Sequence, residues 1–268
     1  MVARGPRPRP RCGRRSATGT TRSAGRSSPA SVWPGTPEVC RHLAWFGAPR
    51  SVASLVLAPA NGLLTQSWAP RRQAHGTVNA DGWGIGLHPE DGGAAARWRS
   101  DKPMWSDTNL VSMAPHLRAG RVVAAVRSAS EGMPADATAA APFLHDGWLV
   151  SHNGKVDRGA VGPSLAAESA CDAALLAARV VAAGPHRVGA TLHEVAVGDP
   201  AARLNLLLLS RDELLATRWG DTLFLRRDDE GVLVASEPDD DAGWEEVPDR
   251  HLVTVTGAGV RVEPLATH

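Results

Sequence analysis

Tyrosine is absent from the 268 residues, while phenylalanine and cysteine occur three times each and lysine twice. Each scarcity excludes something. Cys12, Cys40 and Cys171 form no CxxC pair and no even framework, so neither a disulfide scaffold nor a structural zinc site is expected. No stretch holds 18 consecutive apolar residues, which argues against a membrane-spanning helix, and the Arg-rich start lacks the apolar segment of a secretory signal. The composition reads as cytoplasmic. Acids are scarce at one end: residues 1–39 carry eight Arg and only Glu38, a net of +7, leaving a net of −6 on the rest. An acidic body is a poor match for phosphate backbones, so neither nucleic acid nor membrane is an expected partner.

A hydrophobic content of 43% suffices for a sizeable core, and its distribution is uneven. Residues 1–38 are Arg, Pro, Gly and Ser with few apolar side chains; burying so little cannot offset their ordering entropy, and a disordered leader is expected there. From Cys40 the pattern becomes that of a folded domain, residues 40–268. "CRHLAWFG" alternates as a strand does, "RSVASLVLAP" reads as a short amphipathic helix, and "DGWGIGLH" (81–88) as a Gly-rich turn entering a strand. "SDTNLVSMAPHLRAG" has a helix cap at its start and Gly120 after its end, while "RVVAAVRS" and "GWLVSHNG" are β-type runs. A long helix is predicted over 166–183 and a second over 185–197, followed by short strands with turn signals between them. Strands, then helices, then strands predict an α+β layered domain with two antiparallel sheets.

Cys40 is the first candidate for chemistry. A thiol attacks as its thiolate, and its free pKa near 8.5 calls for a neighbouring base or cation. Were Cys40 the first residue, its own α-amino group, with a pKa of roughly 7.7 to 8.0, would serve. Two routes would expose it: autocatalytic removal of the leader, or translation starting at the GUG-encodable Val39 followed by removal of the initiator. As a plain strand residue, Cys40 would instead be a small buried hydrophobe.

"CRHLAWFGAP", "APRRQAHGTVNADGWGIG", "AVRSAS", "HDGWLVSHNGKV" and "ESACDAALLAA", in that order, resemble the class II glutamine amidotransferase domain, and within that group the stand-alone γ-glutamyl amidohydrolases of bacterial ergothioneine biosynthesis. The resemblance implies a four-layer αββα N-terminal-nucleophile hydrolase sandwich. It implies Cys40 as nucleophile, with Asn153 and Gly154 of "HNG" as oxyanion donors. It assigns Arg127 to the α-carboxylate of a glutamyl group and Asp172 to its α-ammonium. Standing alone, "HNG" would read as a type I′ hairpin turn, Arg127 as a solvated strand-end charge, and Asp172 as a first-turn acid suited to the helix dipole. Many class II domains carry Trp after this arginine, where this chain has Ser128.

The implied small-molecule substrate is a γ-glutamyl hercynylcysteine sulfoxide, whose far half joins a cysteine sulfoxide to trimethylhistidine. Its quaternary ammonium suits an aromatic face, and Trp83, Trp105 and Trp68 are candidates to line the pocket. No metal or organic cofactor is expected, and the acidic runs "RRDDEG" and "EPDDDAG" read as solvated turns without the spacing of a calcium loop. His42 reads as hydrogen-bonded structure, His152 as facing away from the Asn153 side of its strand, and Cys171 as packing. Two rival functions remain open at this level: a glutaminase subunit feeding ammonia to a separate synthase, and a non-catalytic binding protein of the same fold.

Overall fold

The computed structural model describes residues 40–73, 78–129 and 132–266; the leader predicted over 1–38 lies outside the described residues. Thirteen strands build two antiparallel sheets. One sheet has the order β11-β9-β10-β1-β4-β2-β3, formed by Trp244–Glu246, Phe224–Asp228, Gly231–Ala235, Arg41–Ser51, Arg118–Val126, Trp83–His88 and Ala96–Ser100. The other has the order β13-β12-β8-β7-β6-β5, formed by Gly259–Pro264, His251–Thr256, Glu213–Arg218, Arg203–Leu209, Trp148–Lys155 and Phe143–His145.

Side-chain alternation along each strand stacks these sheets into four layers. On β7, Leu207 and Leu209 join Ala44, Phe46 and Val123 between the sheets, while Leu204, Leu206 and Leu208 face outward. Those outward leucines are covered by α4 (Asp172–Ala183) and α5 (Val188–Gly198) through Leu176, Val180 and Leu192. On β1 the same alternation sends Leu43 and Trp45 outward, against Leu63 of α1 (Leu63–Gln66) and Leu110 of α2 (Thr108–Met113). A continuous leucine run such as β7 is apolar on both faces because both faces are covered. The result is the αββα sandwich that the sequence resemblance implies.

Aspartate side chains cap two of the short helices. Asp107 caps α2 by accepting the N–H groups of Asn109 and Leu110. A one-turn α3 (Arg158–Val161) is capped in the same way by Asp157. The segment predicted as one helix over 166–183 is helical only from Asp172. Glu168 is drawn out of any helical path by Arg97 at 2.6 Å, Arg99 at 3.0 Å and the N–H of Leu144, and these tertiary bonds outweigh local propensity. "RSVASLVLAP" also differs from its reading. β1 runs on through Ser51, and Ala53–Leu57 is a π-helical turn held by Ala53 N–H on Ala114 O.

The two acidic runs diverge. Asp228 and Glu230 form an exposed β9–β10 turn paired with Arg50, as read. "EPDDDAG" was expected to be solvated, yet Glu237 and Asp239 are buried. Arg226 neutralises Asp239, and the backbone N–H groups of Arg71 and Arg72 bond Glu237.

Leu206 lies fully buried under the α4–α5 layer, whereas Leu165 projects into solvent. Leu206→Ala is expected to lower unfolding free energy by about 2–5 kcal/mol in urea titration. Leu165→Ala is expected to change it by less than about 0.5 kcal/mol.

Candidate active site

Cys40 is half-buried and stands one residue before β1, where the chain enters the sandwich. The pocket against it is lined by Arg127 just past β4, Trp83 at the start of β2, Gly154 near the end of β6, Asp172 at the first position of α4, and His152. These residues are scattered over more than 130 positions and are gathered because one end of each element meets at the same end of the sandwich.

Asn153 and Gly154 belong to β6, paired with Asn205 and Leu204 of β7, and not to a hairpin turn. Asn153 alternates with Ser151 onto the inter-sheet face, with its side chain fully buried. Its Nδ2 donates to Ser236 Oγ at 3.0 Å, which uses one of two hydrogens, and its Oδ1 has no partner. Gly154 has φ +155, and a Cβ there would stand 2.0 Å from Arg203 O, so no other residue fits without moving β7. His152 points away from Asn153, as the strand period requires, and its Nε2 lies 2.8 Å from Arg203 O.

Arg127 is 8% exposed, and its guanidinium donates to the carbonyls of Pro134 at 2.8 Å and Asp81 at 3.4 Å. It makes no ion pair among the described residues. Asp172, 6% exposed, accepts from Val156 N–H at 3.1 Å and Ala173 N–H at 2.8 Å. Both charges are thus oriented by main-chain dipoles, and neither is neutralised by them. A ligand bearing a carboxylate and an ammonium matches that arrangement. Trp83 is fully buried, packs edge-on against Trp98 at 5.0 Å, and leaves its indole N–H without a partner.

The structure does not bring Trp105 to this pocket. Within the turn Met104–Ser106, Met104 takes the buried position and Trp105 is turned outward, 43% exposed, edge-on to Trp68 at 5.9 Å. Cys171 lines the pocket as a buried thiol that burial pushes above its ordinary pKa, which disfavours a reactive thiolate. "NADGWG" does turn beside the site: Asp81 N–H bonds Arg127 O, and Gly84 passes so close to Ala141 O that a Cβ would sit 2.2 Å from it.

Two residues central to the geometry escaped the sequence reading. Ser236 Oγ accepts both the His42 N–H at 3.0 Å and the Asn153 amide, joining β1 to β6. Ser151 Oγ lies 3.1 Å from His42 Nδ1 across the two sheets. Nothing local marks either serine; the pairings span 194, 83 and 109 positions.

Burial holds the His42 imidazole well below its ordinary pKa of 6.5, and the charges of His152 and Arg41 push the same way. The folded state keeps His42 neutral, whereas the unfolded chain takes a proton near pH 6.5. Its contribution to stability is therefore complete above about pH 6.5 and is lost as the pH falls toward the folded-state value. The urea midpoint should drop between about pH 7.5 and about pH 5.5, and the drop should shrink in His42→Gln. It should not vanish, because His88 and His145 are also held below 6.5 by burial.

The class II glutamine amidotransferase family model matches residues 60–170. The chain is 56% identical to the gamma-glutamyl-hercynylcysteine sulfoxide hydrolase of Mycolicibacterium smegmatis over 228 residues, 85% of this chain and 100% of the relative. It is 53% identical to the Mycobacterium tuberculosis protein of the same name, across 85% of this chain and 97% of that one. Among solved structures, a class-II domain protein from Silicibacter pomeroyi superimposes with a TM-score of 0.61 at 20% identity, covering 85% of this chain and 100% of that one. The B. subtilis PRPP amidotransferase does so at 0.63 and 12% identity, covering 85% of this chain and 50% of its own. These two show a shared fold. With more than half of the 228 aligned residues identical in relatives that it covers almost end to end, the chain belongs to the class II glutamine amidotransferase family.

Proposed function

We propose that this protein is a cysteine amidohydrolase that releases glutamate from a γ-glutamyl amide, its substrate being γ-glutamyl hercynylcysteine sulfoxide as in its named relatives. One observation carries the reading: a thiol, a guanidinium and a carboxylate line a single pocket, the two charges bonded to main chain and free of each other. In this reading Arg127 grips the substrate α-carboxylate and Asp172 the α-ammonium. The pair recognises the free amino-acid head of a glutamyl group and fixes its γ-carbonyl over Cys40.

Cys40 Sγ then adds to the γ-carbonyl carbon. The developing oxyanion is held by the remaining Asn153 Nδ2 hydrogen and the N–H of Gly154, while the thiol proton passes to a base and on to the departing amine as the C–N bond breaks. Water adds to the resulting thioester, freeing glutamate and restoring the thiol. The base is the α-amino group of Cys40 itself, which requires that Val39 no longer be attached. One fact supports that processing: the whole of the M. smegmatis relative aligns within 228 of this chain's 268 residues. The domain proper is then 40–268. Trp83 supplies a wall, and its unpaired indole N–H a donor, beside the glutamyl head.

Protein beginning at Cys40 is expected to release glutamate from γ-glutamyl hercynylcysteine sulfoxide, and Cys40→Ala to release none; equal release by both would refute the mechanism. Asn153→Ala should lower kcat by about 10²- to 10³-fold. Arg127→Lys, which keeps the charge but loses the planar fork, should raise KM by about tenfold or more.

A further inference from the structure

The two oxyanion donors are held in different ways. The N–H of Gly154 is main chain, and its place is set by β6 where Gly154 pairs with Leu204 of β7. The Asn153 donor sits at the end of a side chain whose last torsion joins a tetrahedral carbon to a planar one. Such torsions have broad, roughly two-fold wells and do not choose an orientation by themselves. The Asn153 Oδ1 has no partner, and among the described residues its Nδ2 meets one group, the Ser236 hydroxyl at 3.0 Å. A single hydrogen bond therefore aims this amide.

Ser236 is itself firmly seated. It lies one residue past the Leu43–Ala235 pair of the β1–β10 ladder. Its N–H donates to His42 O at 3.0 Å, and its carbonyl accepts from the Thr222 hydroxyl at 2.8 Å. Its Oγ accepts the His42 N–H at 3.0 Å and donates to His42 O at 3.3 Å. A hydroxyl has one hydrogen and two lone pairs. The His42 backbone takes the hydrogen and one lone pair, so what faces Asn153 is the second lone pair, which calls for an N–H. The amide accordingly turns its nitrogen to Ser236; turned over, it would set Oδ1 against that oxygen or draw the hydroxyl hydrogen away from His42 O. Serine and asparagine are both fully buried, where each such bond is stronger than it would be in water. With one Nδ2 hydrogen engaged by Ser236, the planarity of the amide fixes the direction of the other, the one that the proposed reaction uses.

We propose that Ser236 is a positioning residue for the amide cleavage: without touching the substrate, it aims the Asn153 oxyanion donor from a seat on the start of β1. The assignment rests on the function proposed above. His42 is two residues from Cys40, so attacking sulfur and oxyanion donor are both referred to one short piece of main chain.

In the active protein, Ser236→Ala is expected to lower kcat for γ-glutamyl hercynylcysteine sulfoxide by about 10- to 100-fold, part of the worth of an oxyanion donor. KM should stay within about threefold, because Arg127 and Asp172 still hold the head. A double-mutant cycle separates aim from general loosening. A residue that acts only through Asn153 has no effect once Asn153 is gone, so Asn153→Ala/Ser236→Ala should match Asn153→Ala in kcat within about threefold. Losses that multiply, or a Ser236→Ala protein with the kcat of its parent, would overturn the role. Ser236→Cys, close in size but a weak acceptor, carries the same cycle if the alanine variant does not fold. A readout without turnover is the pair of Asn153 side-chain NH2 signals in the NMR spectrum of the isotope-labelled full chain, identified by their absence in Asn153→Ala. They should shift in Ser236→Ala, and unshifted signals would overturn the role as well. Shifted signals in a protein whose parent releases no glutamate would sink the proposed activity and leave the aim of the amide standing.

Discussion

The hydroxyl of Ser236 is the constraint on which the site depends. Cys40 leads into a strand of one sheet and Asn153 lies on a strand of the other, and the proposed reaction needs both within reach of one carbonyl. Packed sheets are held about 10 Å apart by their side chains, a spacing far too loose for that task. At this end of the sandwich leucines give way to small polar groups. Ser236 Oγ accepts from the His42 backbone and from the Asn153 amide, and His42 reaches Ser151 across the gap. A buried, mutually bonded network has one good geometry, because any slip of one sheet on the other would leave polar atoms unpaired.

The same physics separates charges that build from charges that bind. Arg97 and Arg99 close on Glu168, Arg226 on Asp239 and Asp240, and Arg203 on Asp221. Each of these pairs is spent within the protein and stiffens a loop or a sheet edge. Arg127 and Asp172 are buried to a similar degree but are bonded to carbonyls and amide N–H groups. Dipoles orient a charge without cancelling it, so both remain available to a zwitterionic head. Asp172 also stands in the first turn of α4, where the field of the helix N-terminus favours a negative charge.

The Arg71 and Arg72 segment shows a third use of buried charge. Glu237 is completely enclosed, and its carboxylate is satisfied by two successive backbone N–H groups. Through it the segment that follows β10 also fixes the backbone of Arg71 and Arg72, so the Asn153 amide and that segment share one anchor. Buried Arg41 donates to Cys40 O; burial lowers its pKa, and the negative charges of Glu237 and Asp221 oppose that shift. The start of β1 and the Arg71–Arg72 segment are thus tied to two adjacent residues, Ser236 and Glu237.

The sequence by itself determined the layered α+β class and the strands whose apolar residues alternate or run unbroken. It also marked Cys40, Arg127, Asn153, Gly154 and Asp172, because each sits in a short motif whose residue types and order are specific. Tertiary structure decided the rest, for reasons of distance along the chain. The short strands β3, β5 and β11 have too few residues to show a period. The helix start at Asp172 depends on arginines some 70 positions away that draw Glu168 aside. Trp83 and Trp105 lie in similar Gly- or Pro-flanked stretches, and only the packing of Met104 turns one outward while β2 carries the other to the pocket. Ser236 and Glu237 look like the end of a strand and the start of a solvated acidic turn. They become a hinge and an anchor only because β10 pairs with β1, which brings together residues that the chain keeps almost 200 positions apart.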